Sequence, residues 1–166
     1  SCFSFAQELV EFTLGSGYQY DIYYSLADGI TGYPERTNWE LSFSTNIYDG
    51  NIRINSGKGV VLHQVSDDIS AWDNITNLPN DALQLRNSET EWEVGAFVSN
   101  AEGEVNYGWG NYNPTSQIIE GSSIYIINYE DFSKKIKINS LINGEYNFTI
   151  SNLDGSLEEN ISINTL

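Results

Sequence analysis

The side chains of this chain that could do chemistry are few. Tyr107, Trp109 and Tyr112 lie in the run NYGWGNYNP, interleaved with glycine and asparagine, and Asn113 follows them. Two phenols and an indole so placed can stack on a sugar or a planar ligand, with an amide beside them to bond its polar edge. Gly108 and Gly110 would let a ligand approach the backbone closely. The competing reading makes Trp109 a core residue at a bent strand end. His63 is the only histidine. It is either a metal or haem ligand or a hydrogen-bonded strand residue. The chain contains no methionine and one cysteine, Cys2. A two-ligand haem site would therefore need tyrosine or a partner molecule. Zinc would need mostly carboxylates, which zinc sites rarely use alone. No nucleophile-elbow motif accompanies His63.

Carboxylates occur in pairs at Asp67/Asp68, Glu91/Glu93, Glu102/Glu104 and Glu158/Glu159. Glu91 and Glu93, two apart on a strand, would share a face and could support glycosidase-like acid/base work. In a chain with 23 acids such pairs also arise as a solvated face. Acidic, asparagine-containing stretches at Asp49-Gly50-Asn51, Asp67-Asp68 and Asp73-Asn74 could hold a calcium ion, but none has EF-hand spacing. Lys134, Lys135 and Lys137 hold three of the seven positive charges and are expected to cover an exposed strand face.

The net charge of −16 repels phosphate backbones, which excludes nucleic-acid binding, and it disfavours anionic membrane surfaces. No apolar run is long enough to span a membrane as a helix. At 166 residues with 40% hydrophobic content the chain can bury a core as one domain.

The elements that must position these residues read as strands. Gln7 to Leu14 and Gln19 to Leu26 are expected as the first two, with a turn at Asp28-Gly29. The stretch Asn38 to Val65 alternates Trp39, Leu41 and Phe43 with polar residues. Ile52 and Ile54 repeat the alternation, Ser56 to Gly59 breaks it, and Val60 to Val65 forms a buried strand. Ile69, Trp72 and Ile75 are spaced by three, which predicts a short helix capped by Ser66 or Asp67 and pinning Trp72 to the sheet. Trp92, Val94, Ala96 and Val98 predict the next strand. Glu104 to Trp109, Ser123 to Tyr129 and Lys135 to Asn139 are further strands. A hairpin turn at Asn143-Gly144 leads to Glu145–Ser151, and Asp154-Gly155 turns into Asn160–Asn164. About ten short strands and one minor helix describe an all-β sandwich or curved antiparallel sheet.

Ser4-Phe5-Ala6 places small residues before Gln7 in the manner of a signal-peptidase site. Residues 1–6 then read as the remnant of an export signal cleaved after Ala6, and 7–166 as the β domain. The mature chain would contain no cysteine. An acylated Cys2 is the rival reading, which Phe3 and Phe5 disfavour.

The segments YDIYYSLADG, NWELSFST, NIRINSGKGV and GWGNYN, followed by IEGSSIYIINYEDFSKKIKINSLINGEYNFTISNLDGS, resemble the HmuY-like haem-binding proteins of Bacteroidetes. Their order covers most of the chain. The resemblance implies a secreted or cell-surface, non-catalytic binding domain, standing ahead of a type IX secretion sorting domain, with haem or another porphyrin as ligand. Where a haem ligand of the family would stand, this chain carries Asn111, Tyr112, Asn113 and Pro114. Two other readings stand beside it. One is a carbohydrate-binding module or glycan-directed enzyme using the Trp109 cluster and an acidic pair. The other is a structural domain of a secreted protein.

Overall fold

A computed structural model describes residues 10–13, 19–46 and 49–166. The chain divides into two compact units, Ser1–Asn38 and Trp39–Leu166. The expected signal remnant and half of the first strand fall outside the described residues; Val10 to Thr13 carry no strand.

The first unit is a short hairpin. Strand β1 (Tyr23–Ser25) pairs antiparallel with β2 (Gly29–Gly32). Gly29 takes φ +77° at the turn, a conformation a side chain disfavours. The ladder is extended by Asp21 N–H to Pro34 C=O, Arg36 N–H to Gln19 C=O and an Arg36–Asp21 ion pair of 3.1 Å. The regular strand is thus shorter than the alternation from Gln19 to Leu26 suggests.

The second unit is one curled antiparallel sheet with a small hairpin laid on it, so the all-β expectation holds. The hairpin is β3 (Leu41–Phe43) with β4 (Ile52–Ile54). A 3-10 turn at Ser56–Lys58, capped by Asn55 and closed by Gly59 at φ +94°, sends the chain into β5 (Val61–Ser66). The sheet runs β12–β11–β10–β9–β5–β6, with β6 at Leu83–Leu85, β9 at Ile124–Tyr129, β10 at Phe132–Ile142, β11 at Glu145–Asn152 and β12 at Glu159–Asn164. The hairpin β7 (Gly110–Asn113) and β8 (Ile118–Gly121) joins the same sheet through β8.

β10 organises the unit. Along one edge it pairs with β11 throughout. Along the other, Phe132–Ile136 pairs with β9 and Ser140–Leu141 with β8. Its register against β11 shifts at Asn139, a bulge that bends the strand between its two partners. Ile136 and Ile138 enter the main core cluster with Leu62, Trp109, Tyr125, Tyr146 and Phe148. Lys135 and Lys137 alternate with them and occupy the opposite face.

That second face is also covered, which corrects the expectation for the lysines. A 3-10 turn at Ile69–Asn74 buries Trp72 there. Lys135 is 2% exposed. Its Nζ donates to Trp72 C=O at 2.8 Å and Ile75 C=O at 3.2 Å at the end of the turn, where Trp72 C=O also accepts Ile75 N–H. Lys135 and Lys137 both stand over the Trp72 ring, and Glu158 accepts its indole N–H at 2.8 Å. The turn is capped by Asp68, one residue later than expected, accepting from Ser70 N–H.

The expected strand from Trp92 to Val98 is absent. The segment bends through residues 91–95 and forms a 3-10 turn at Ala96–Val98. Asparagine side chains take the place of strand partners. Asn51 Oδ1 accepts Gly95 N–H, and Asn87 Oδ1 accepts Ala96 N–H while its amide also pairs with both polar groups of Ile54. With the backbone satisfied this way, no ladder is needed. Glu104 to Trp109 is likewise a turn rather than a strand, and β7 occupies the GNYN stretch that follows.

Candidate functional site

Trp109 is wholly buried, so it offers no face to a ligand. Its Nε1–H donates to Gly50 C=O at 2.7 Å, and its ring packs 6.5 Å from that of Tyr146. Tyr146 in turn donates its hydroxyl to Asp49 C=O at 3.0 Å. The two aromatic residues hold consecutive carbonyls of one segment. The glycines flanking Trp109 serve the same packing. A Cβ on Gly108 would stand 2.5 Å from Phe97 C=O, and one on Gly110 2.5 Å from Glu120 C=O. The room expected for a ligand is filled by protein backbone.

Tyr107 and Tyr112 do come together. A tight turn reverses the chain between them: Asn106 Oδ1 accepts Gly108 N–H, Tyr107 N–H donates to Gly110 C=O, and Tyr112 N–H to Val105 C=O. Both half-buried rings line a hollow of about 400 Å³ with Glu104, Gln117, Ile119, Leu141 and Asn143. Strand register builds it. Tyr112, Ile119 and Leu141 are successive cross-strand partners on β7, β8 and β10, and Tyr146 on β11 continues the row into the core. Tyr107 lies against Gly50, where a Cβ would meet its ring at 2.7 Å.

The rim is set by two turns. Asn113 does not line the hollow. Its Oδ1 accepts Thr115 N–H at 3.0 Å and Ser116 N–H at 3.4 Å, and its carbonyl accepts Gln117 N–H. That loop places Gln117 at φ +59°, and the β10–β11 turn places Asn143 at φ +50°. Both are left-handed conformations, uncommon for residues with side chains and most frequent where a turn or site imposes them. The hollow therefore has an aliphatic floor, two phenol walls and a rim of one carboxylate and two amides. Paired-carboxylate glycoside hydrolysis uses two such groups, and Glu104 is the one that lines this hollow.

His63 is elsewhere. On β5 it lies between Ile126 and Gln84, on the face opposite Leu62 and the core cluster. Its Nδ1 is buried with no hydrogen-bond partner among the described residues, and burial lowers its pKa from the ordinary value. It does not approach the tyrosine hollow. The carboxylate pairs are also dispersed. Asp68 caps a turn, Glu158 bonds Trp72, and Glu91 and Glu93 lie in the bend rather than on a strand. Among the described residues no three His, Cys, Asp or Glu side chains converge as a metal set.

One arrangement went unread in the sequence. Arg53 is 9% exposed, and among the described residues no carboxylate is bonded to it. Its guanidinium donates to the carbonyls of Ser88, Glu91, Trp92 and Val94 and lies 4.2 Å from the centre of the Trp92 ring. Burial lowers its pKa, and the charge of Glu93 opposes that shift. The available signal was a cation between two core isoleucines, paired in register with Ser42 rather than an acid.

No family model, curated protein or solved structure matches this chain.

Proposed function

We propose that this chain is a non-catalytic binding domain of an exported protein and that its ligand is a neutral saccharide held between Tyr107 and Tyr112. The hollow carries the proposal. Sugars present apolar C–H faces and hydroxyl edges, and the site offers phenol rings, an aliphatic floor and a rim of Glu104, Gln117 and Asn143 to match. The charge of −16 favours a neutral ligand over an anionic one. The single carboxylate supports binding over hydrolysis. Export rests on the Ser4-Phe5-Ala6 pattern and on the HmuY-like resemblance.

The porphyrin reading rests on that resemblance alone. The hollow contains no imidazole or thioether, and His63 lies on the other face of the sheet with Nδ1 buried. These residues do not fit a histidine- or methionine-ligated haem. Titration with haemin discriminates the two: the saccharide reading expects no Soret shift, and a shift abolished by Tyr112→Phe would replace it with tyrosine-ligated haem. Titration with neutral oligosaccharides should show binding that falls about tenfold or more in Tyr107→Ala and in Tyr112→Ala.

A further inference from the structure

We infer that Trp92 is a second saccharide-stacking platform, built separately from the tyrosine hollow. Trp92 is 70% exposed. A lone exposed tryptophan is unremarkable in itself, but this one is backed by a fixed cation. Arg53 lies under the indole at 4.2 Å, and its donors go to four carbonyls of the segment from Ser88 to Val94. Those bonds hold the segment that carries the ring. The indole thus stands against a nearly buried side chain. Rigid aromatic surface binds at low entropic cost.

The ligand class follows from charge. A hollow of about 210 Å³ adjoins the ring, lined by Ser42, Ser44, Asp49, Asn51, Arg53 and Glu93 among others. An anionic ligand would meet two carboxylates, Asp49 and Glu93, against the one cation Arg53, whose donors are already bonded to carbonyls, and the negative field of the whole chain. A cationic ligand on the outer face would meet Arg53 across the ring, which already uses the attraction of the π-cloud. A neutral ligand with an apolar face and hydroxyl groups meets neither penalty. The Ser42 and Ser44 hydroxyls and the carboxylates of Asp49 and Glu93 beside the indole can bond such hydroxyls, and the volume suits one sugar ring.

The two sites share a wall. Tyr107 lies on Gly50, whereas Asp49 and Asn51 line the Trp92 hollow. The segment between them is fixed by Trp109 and Tyr146 through the carbonyls of Gly50 and Asp49. The buried aromatic pair therefore positions both sites without touching a ligand.

The test uses the whole chain, 15N-labelled, against an array of neutral pyranose oligosaccharides, with the best binder carried into titration. The indole N–H signal of Trp92, assigned by its loss in Trp92→Phe, should shift on binding. Affinity should fall about tenfold or more in Trp92→Ala and stay within about threefold in Trp92→Tyr. This Trp92-dependent binding should persist in the Tyr107→Ala/Tyr112→Ala double variant, so failure of the tyrosine site leaves it standing. Because Trp92 is largely exposed, Trp92→Ala should unfold in one transition as the parent does, its midpoint lowered only by the lost Arg53 contact. If no arrayed oligosaccharide moves the Trp92 signal, or if Trp92→Ala binds as the parent does, the inference is overturned.

Discussion

Trp109 and Tyr112 are three residues apart in an aromatic run, yet they do opposite work. Trp109 is core: its indole satisfies Gly50 C=O and fills space beside Tyr146. Trp109→Ala should cost about 3–5 kcal/mol of stability, as large-to-small core changes do. Trp109→Phe should cost about 1–3 kcal/mol, through the carbonyl left unpaired. Urea unfolding measures both, and Tyr112→Ala should lose binding with a much smaller change in stability. His63 makes a prediction in pH. Burial lowers its folded pKa below that of the unfolded chain, so the unfolded state takes up the proton first. Stability should be independent of this group above about pH 6.5. It should decline as pH falls below that value, until the folded state also protonates. In His63→Gln that part of the pH profile should flatten; an unchanged profile would show that His63 does not titrate differently on folding. The sequence identifies the aromatic run as special. Which ring faces inward depends on the turn at Asn106–Gly110 and on a carbonyl of residue 50, neither of which local spacing reveals.

At the scale of elements, alternation was a sound guide where strands pair with sequence neighbours. β9, β10, β11 and β12 form successive antiparallel pairs, and Asn143-Gly144 makes the expected hairpin. It failed from Trp92 to Val98, where the side-chain pattern suits a strand but the side chains of Asn51 and Asn87, 44 and 9 residues away, satisfy the backbone. It also failed for Lys135, because a lysine among strand residues reads as solvent-facing unless one knows that carbonyls of Trp72 and Ile75 await it. Arg53 shows the same kind of long-range partnership. Replacing it with alanine removes the shared donor for four carbonyls between Ser88 and Val94 and should cost about 2–3 kcal/mol. Amide exchange should accelerate at Val94 and Gly95, with little change in β11. Uniform acceleration across the sheet would instead indicate that Arg53 stabilises the whole unit rather than the bend.

For the whole molecule, charge is the property most directly read from the sequence. With 23 acidic and 7 basic residues and few ion pairs among the described residues, self-repulsion opposes folding. The thermal midpoint should rise as sodium chloride is increased from about 10 mM to about 150 mM, the range over which screening shortens from about 30 Å to about 8 Å. A flat or falling response would contradict that. The all-β class was legible because alternation and turn signals recur throughout the chain. The curl of the sheet was not, since it depends on β10 changing partners at Asn139, a bulge without a local signature. The tyrosine hollow is a product of that curl: it forms where β7 and β8 meet the second half of β10. The central claim is that a neutral saccharide binds there, and calorimetric titration of the parent and the Tyr107→Ala/Tyr112→Ala double variant with the best neutral oligosaccharide from an array tests it most directly. The account predicts parent binding with a tyrosine-dependent component that the double variant loses. Equal affinity and stoichiometry in the two proteins, or no binding by the parent, would contradict it.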